Sequence, residues 1–172
     1  MYKYETHLHT KEGSACSSAP AADMARAHKA AGYDGIFVTD HFFNANTAVP
    51  RDLPWEDRVD RYFLGYEHAK EVGDEIGLKV WFGCEFTVYN ADFLIYGMEK
   101  DWMKANEELL MHTDERVLFS KLRNELDCFI VHAHPFRHAS YIHHISLYPY
   151  DVDAVETVSY THLRAHETGR NL

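Results

Sequence analysis

The sequence predicts an α/β protein built on a parallel sheet. Short apolar runs rich in β-branched and aromatic residues alternate with longer segments of helical periodicity. The first strand, helix and second strand follow one another closely enough to make a β-α-β unit. The predicted strands also end in His, Asp or Glu, and in parallel α/β folds, barrels above all, that end carries function.

Tyr2–Leu8 (YKYETHL) alternates and reads as a strand running into His9. Ser18, as N-cap, with Pro20 in the first turn, opens a helix to about Ala31, and Gly32 stops it. Gly35–Thr39 is a short buried strand ending at Asp40-His41, followed by a loop over Phe42–Pro54. From Trp55 to about Ile76, Val59, Tyr62, Phe63, Tyr66, Ala69, Val72 and Ile76 share one helical face, and Gly77 ends the helix. Lys79–Phe86 (KVWFGCEF) and Phe93–Tyr96 (FLIY) read as strands, Asp114–Leu126 as a helix, and Cys128–His134 (CFIVHAH) and Val152–Glu156 (VDAVE) as the last strands.

A chain of 172 residues with 46% hydrophobic and 26% charged residues is one domain or a piece of one, with enough material for a core. There is no apolar run of ~20 residues and no secretory leader pattern, so neither a membrane span nor export is expected. Three widely spaced cysteines (Cys16, Cys84, Cys128) make no disulfide framework and fit a reducing, cytoplasmic setting. The net charge of −10 argues against a broad nucleic-acid face. A small anionic substrate stays open if cations reverse the charge locally.

Histidine is the outlier, at 13 residues. His7 and His9, two apart on a strand, point to one side and can reach one ion. His41 follows Asp40 at the second strand's end, where the alternative is a cap or turn pair. Glu85 ends a buried strand; a carboxylate there is costly unless paired or metal-bound. Asp92 reads equally as turn residue or ligand. His132 and His134 form a second His-x-His pair at a strand end, stopped by Pro135. Arg137, next in the loop, is either a phosphate clamp or half of a surface ion pair. Cys16 borders the site or is simply a small loop residue. His138, His143 and His144 read as solvated loop histidines, His28 and His68 as surface residues of helices, and His112 has no visible partner. Imidazoles mixed with carboxylates suit Zn²⁺, Mn²⁺ or Fe²⁺, and more than four candidate ligands imply two or three divalent ions, the arrangement that hydrolyses phosphate esters.

The strings ETHLHT, VTDH, GCEF and HAHP, in that order over residues 2–157, resemble the PHP family, named for polymerase and histidinol phosphatase. The resemblance implies a distorted (β/α)7 TIM-like barrel with a trinuclear metal site. It implies metal ligation by His7, His9, His41, the bridging Glu85 and His134. Asp92 would replace a histidine of the family pattern, and Glu12 falls near an acidic or histidine ligand after the first motif. Asp40 and His132 would support the ligands from behind. The family's final Gly-Ser-Asp-x-His is missing. Val158–Thr168 (VSYTHLRAHET) resembles translated sequencing-adapter DNA. On that reading residues 158–172 are a non-native tail and residues 1–157 a partial PHP domain, a barrel incomplete at its C-terminus. Such a chain would bind metal more weakly than a longer version and be inactive or poorly stable.

The activity expected is metal-dependent hydrolysis of a small phosphomonoester or nucleotide, histidinol-phosphatase-like. Two other readings stand beside it: an amidohydrolase-type metal hydrolase, and a non-catalytic metal-stabilised PHP module.

Overall fold

The computed structural model describes residues 1–89, 91–137 and 145–157. The loop histidines His138, His143 and His144 and the adapter-like tail lie outside the described residues. The chain runs β1 (Tyr4–Leu8), α1 (Ala21–Ala30), β2 (Gly35–Val38), α2 (Trp55–Ile76), β3 (Lys79–Val88), β4 (Ala91–Tyr96), α3 (Lys100–Ala105), α4 (Glu107–His112), α5 (Glu115–Leu126), β5 (Phe129–Ala133) and β6 (Ala154–Val155). The strands form one six-stranded sheet in sequential order, curled into a half barrel.

The opening β-α-β unit is as expected: β1 pairs parallel with β2, and β2 with β3. The sheet then departs from the repeating strand-loop-helix pattern. β4 pairs antiparallel with both β3 and β5, and only β6 returns to parallel pairing, on β5. Connection length explains the departure. β3 runs to Val88 and β4 begins at Ala91, far short of the dozen or so residues that a parallel crossover needs. α3 and α4 fill residues that the sequence pattern left unassigned.

α2 is the structural spine. Its interior carries Gly65 and Gly73, each costing about 1 kcal/mol against alanine. Burial of Val59, Tyr62, Phe63 and Val72, at roughly 2 kcal/mol each, outweighs that cost. One face of α2 packs with α1 and the parallel strands around Ile36, Val38 and Val80; the other meets Phe42, Phe43, Phe86 and the α3–α5 layer. Gly77, left-handed at φ 69°, caps it as expected. Ser18 does not cap α1. Pro20 holds the N-cap position without a side-chain bond, and Glu12 reaches across to accept the Ala21 N–H at 3.0 Å.

Candidate metal centre

β1, β2 and β3 lie side by side, so their ends deliver side chains to one rim of the half barrel. Thr39 locks β1 to β2: its Oγ1 accepts the Leu8 N–H at 2.9 Å while its own N–H donates to the Leu8 carbonyl at 2.8 Å. Past β2, the chain stays against β3. The Glu85 N–H donates to the Asp40 carbonyl at 3.0 Å, and the Phe42 N–H to the Glu85 carbonyl at 2.9 Å. That ladder sets the His41 side chain beside that of Glu85.

Glu85 is the centre of the arrangement, at 1% exposure. Four imidazoles surround its carboxylate. His7 Nε2 lies 3.4 Å and His134 Nε2 3.2 Å from Oε1; His9 Nε2 lies 3.3 Å and His41 Nδ1 2.7 Å from Oε2. Asp92 joins from β4, with Oδ2 3.9 Å from His134 Nε2 and Oδ1 accepting the Thr87 hydroxyl at 2.7 Å. Six of the sequence-nominated residues, His7, His9, His41, Glu85, Asp92 and His134, are therefore brought together.

A seventh member was not anticipated. Glu156, directly after β6, lies 3.2 Å from His7 Nδ1 and accepts the His134 N–H at 3.2 Å. Its signal was present in the sequence, because it ends a predicted strand as the other members do. Cys16 also reaches the rim, with His9 and His41.

The other nominated residues do different work. Glu12 belongs to none of the ligand groups among the described residues; it caps α1 and pairs with His68 Nδ1 at 3.2 Å. An anion at a helix N-terminus satisfies free N–H groups and the helix dipole. His132 is 2% exposed and stacked on Phe93 at 5.2 Å, with Tyr148 edge-on. It does not pair with His134 because strand alternation ends at Ala133 and His134 turns away with φ 30°. Arg137 is exposed just past the His134 turn, its N–H donating to the His134 carbonyl at 2.9 Å, and it forms no ion pair among the described residues.

Asp40 stands behind the rim. Its carboxylate accepts the Thr10 N–H at 2.6 Å, the Thr10 hydroxyl at 2.6 Å and the Ser14 hydroxyl at 2.7 Å. The Tyr62 hydroxyl donates to its backbone carbonyl. Two glycines make room for it. A Cβ on Gly13 would fall 2.4 Å from the Asp40 carboxylate, and one on Gly65 would fall 2.3 Å from Thr10 Oγ1. Ser14 Oγ, its proton given to Asp40, accepts the His41 N–H at 2.9 Å and His9 Nδ1–H at 3.1 Å. His9 therefore carries its proton on Nδ1 and turns the bare Nε2 lone pair to the cluster.

The charges follow from burial and company. Burial alone would push the Glu85 carboxyl up, but the His134, His41 and His7 imidazoles hold it well below the usual carboxylate range. His7 is opposed by burial yet raised to about 10 by Glu156 and Glu85. His9 is lowered to about 4 chiefly by burial, against the pull of Glu85 and with the His7, His41 and His134 imidazoles adding to the fall. Burial pushes Asp40 up to about 6 against the bonds from Thr10 and Ser14, so it is ionised at neutral pH.

This donor set fits divalent cations. Glu85 Oε2 and His41 Nδ1 are buried and 2.7 Å apart, but among the described residues neither has a hydrogen-bond partner in good geometry. An imidazole nitrogen and a carboxylate oxygen buried side by side with no bond of good geometry between them are placed to share one cation. Four ligand groups emerge, each with donor atoms mutually within 4.8 Å: His7/His9/Glu85, Glu85/Asp92/His134, His7/His134/Glu156 and His9/Cys16/His41. Glu85 belongs to two of them, as a bridging carboxylate would.

No family model and no curated protein sequence matches the chain. Solved structures do. A two-domain protein from Bacteroides vulgatus, described as containing a predicted PHP-like metal-dependent phosphoesterase, superposes with a TM-score of 0.64 at 15% identity. The match covers 98% of this chain and 42% of that one. A protein from Bifidobacterium adolescentis, whose assignment as a metal-dependent phosphoesterase is itself a prediction, superposes with a TM-score of 0.53 at 12% identity. It covers 90% of this chain and 77% of that one. The fold is thus an α/β half barrel like that of these two proteins, and here it carries a histidine–carboxylate cluster on one rim. This chain spans less than half the length of the Bacteroides protein.

Proposed function

We propose that the chain is a metal-dependent phosphoesterase acting on a small phosphomonoester or nucleotide in the cytoplasm. The observation that carries this reading is the buried Glu85 carboxylate with four imidazoles between 2.7 and 3.4 Å from it. His7, His9, His41, Glu85, Asp92, His134 and Glu156 would hold two or three divalent ions, zinc, manganese or iron. Bound there, such ions supply a water of lowered pKa and offset charge on the phosphoryl oxygens.

The chain's own residues prepare that chemistry. Ser14 and Asp40 fix His9 in one tautomer, and Glu156 orients His7 through Nδ1. Arg137, exposed just past the His134 turn and without an ion pair among the described residues, would meet a phosphate dianion with its guanidinium. The acidic surface favours a small substrate over duplex DNA. The fold shared with two solved proteins, both described as predicted metal-dependent phosphoesterases, supports the same class.

The test is turnover of an aryl phosphate with Mn²⁺ or Zn²⁺, beside an aryl ester and a lactone as amidohydrolase-type substrates. Phosphate release abolished by His9→Ala and Glu85→Ala supports the reading. Phosphatase activity that survives both substitutions, or ester and lactone hydrolysis without it, overturns it.

A further inference from the structure

We propose that Cys16 is a metal ligand, supplying a thiolate to an ion shared with His9 and His41, and that this corner of the cluster therefore prefers a thiophilic cation such as Zn²⁺. The proposal rests on the metal reading above and goes beyond it, because none of the ligands named there is a cysteine.

Cys16 Sγ and one ring nitrogen each of His9 and His41 lie mutually within 4.8 Å. The two rings stack at 4.5 Å and 20°, so both present their edges to the same space. A second observation points there independently. Glu85 Oε2, on a side chain 1% exposed, has no hydrogen-bond partner in good geometry among the described residues, although it sits 2.7 Å from His41 Nδ1 and 3.3 Å from His9 Nε2, the same two rings. Two imidazoles and one thiolate, with a fourth position left to water, make a donor set that zinc accepts and that magnesium, which takes oxygen ligands, does not.

The loop holds the sulfur in place. On one side the Ala15 N–H donates to the Asn46 carbonyl at 2.9 Å; on the other the Ser17 N–H donates to the Ser14 carbonyl at 3.1 Å and the Ser17 hydroxyl to the His9 carbonyl at 3.2 Å. Cys84 and Cys128 are buried, whereas Cys16 is exposed. Binding needs no oxidant: the thiol proton leaves to solvent as the sulfur lone pair joins the cation.

Cobalt(II) is the probe, because a thiolate ligand adds a near-ultraviolet charge-transfer band to the visible d–d bands that any ligand set gives. The expected result is both features in the unaltered 172-residue chain, with Cys16→Ser keeping the d–d bands and losing the charge-transfer band. Zn²⁺ should also slow alkylation of Cys16 by iodoacetamide about tenfold or more, with Mg²⁺ leaving it unchanged. Visible d–d bands without charge transfer, or a charge-transfer band that survives Cys16→Ser, would overturn the cysteine assignment alone. Absence of any cobalt spectrum would overturn the metal reading and the cysteine assignment with it.

Discussion

Ser14 joins Asp40 to His9. Its hydroxyl donates to Asp40 Oδ1 at 2.7 Å and its oxygen accepts His9 Nδ1–H at 3.1 Å, so a carboxylate that never touches the cluster decides which nitrogen of His9 faces it. Second-layer contacts of this kind typically contribute 10- to 100-fold in metal affinity. Ser14→Ala removes the acceptor for His9 Nδ1–H and one donor to Asp40 while leaving every ligand in place. Zinc affinity, measured by competition with a chromogenic chelator, should fall by about one to two orders of magnitude. Unchanged affinity would mean that His9 needs no such support.

Gly65 offers a test with an inverted sign. In an ordinary helix interior, Gly→Ala stabilises by about 1 kcal/mol. Here the added methyl would lie 2.3 Å from Thr10 Oγ1 and 2.8 Å from Asp40 Oδ2, inside the network that holds the first loop. Gly65→Ala should therefore destabilise by roughly 1–3 kcal/mol in urea denaturation, the usual cost of overpacking. A more stable variant would show that α2 can move away from the Asp40 network.

Much of this site was legible because one rule, acidic or imidazole groups at strand C-terminal ends, holds for His7, His9, His41 and His134; Glu85 obeys it only at the end of the shorter predicted strand, since β3 runs on to Val88. The same rule reaches Glu156, but β6 is two residues long, too short for its end to stand out as a site position. Ser14 could not be found this way, because a loop serine carries no spacing signal and its role depends on three partners from distant positions. Glu12 shows the opposite failure. Its position after the first motif suggests a ligand, yet its carboxylate accepts the free N–H at the start of α1 instead. His132 looked equivalent to His134 only while the strand was assumed to continue. The antiparallel β4 was hidden by ending β3 two residues early, which made the hairpin connection look longer than it is.

Alkaline stability should report the buried thiol of Cys128. It is 4% exposed, and burial pushes it up to about 11 from an ordinary 9. Between those values the unfolded chain releases the proton and the folded chain keeps it. The stabilisation is thus complete below pH 9 and lost as pH rises toward 11, by about 2–3 kcal/mol at most. Urea denaturation from pH 8 to 11 should show this decline, with a shallower slope in Cys128→Ala. Equal slopes would assign the alkaline loss to other groups, such as Tyr96, whose hydroxyl is also raised by burial.

Glu85→Gln separates the structural and metal-binding duties of the central carboxylate. The amide keeps the shape but cannot balance His7, which is held protonated between Glu85 and Glu156. Without metal, loss of one partner in this buried group should cost about 3 kcal/mol. With zinc, a ligand at 100 times its dissociation constant stabilises the native chain by about 2.7 kcal/mol, visible as a higher melting temperature that a chelator reverses. Glu85→Gln should lose nearly all of that increment, because Glu85 belongs to two ligand groups. Asp92→Asn should lose less: Asp92 belongs to one group, and its nearer oxygen is 3.9 Å from His134 Nε2. Paired melts with zinc and with chelator, run on all three proteins, give the ranking. If Glu85→Gln responds to zinc as fully as the native chain does, the cations do not share Glu85, and the bridging arrangement must be abandoned.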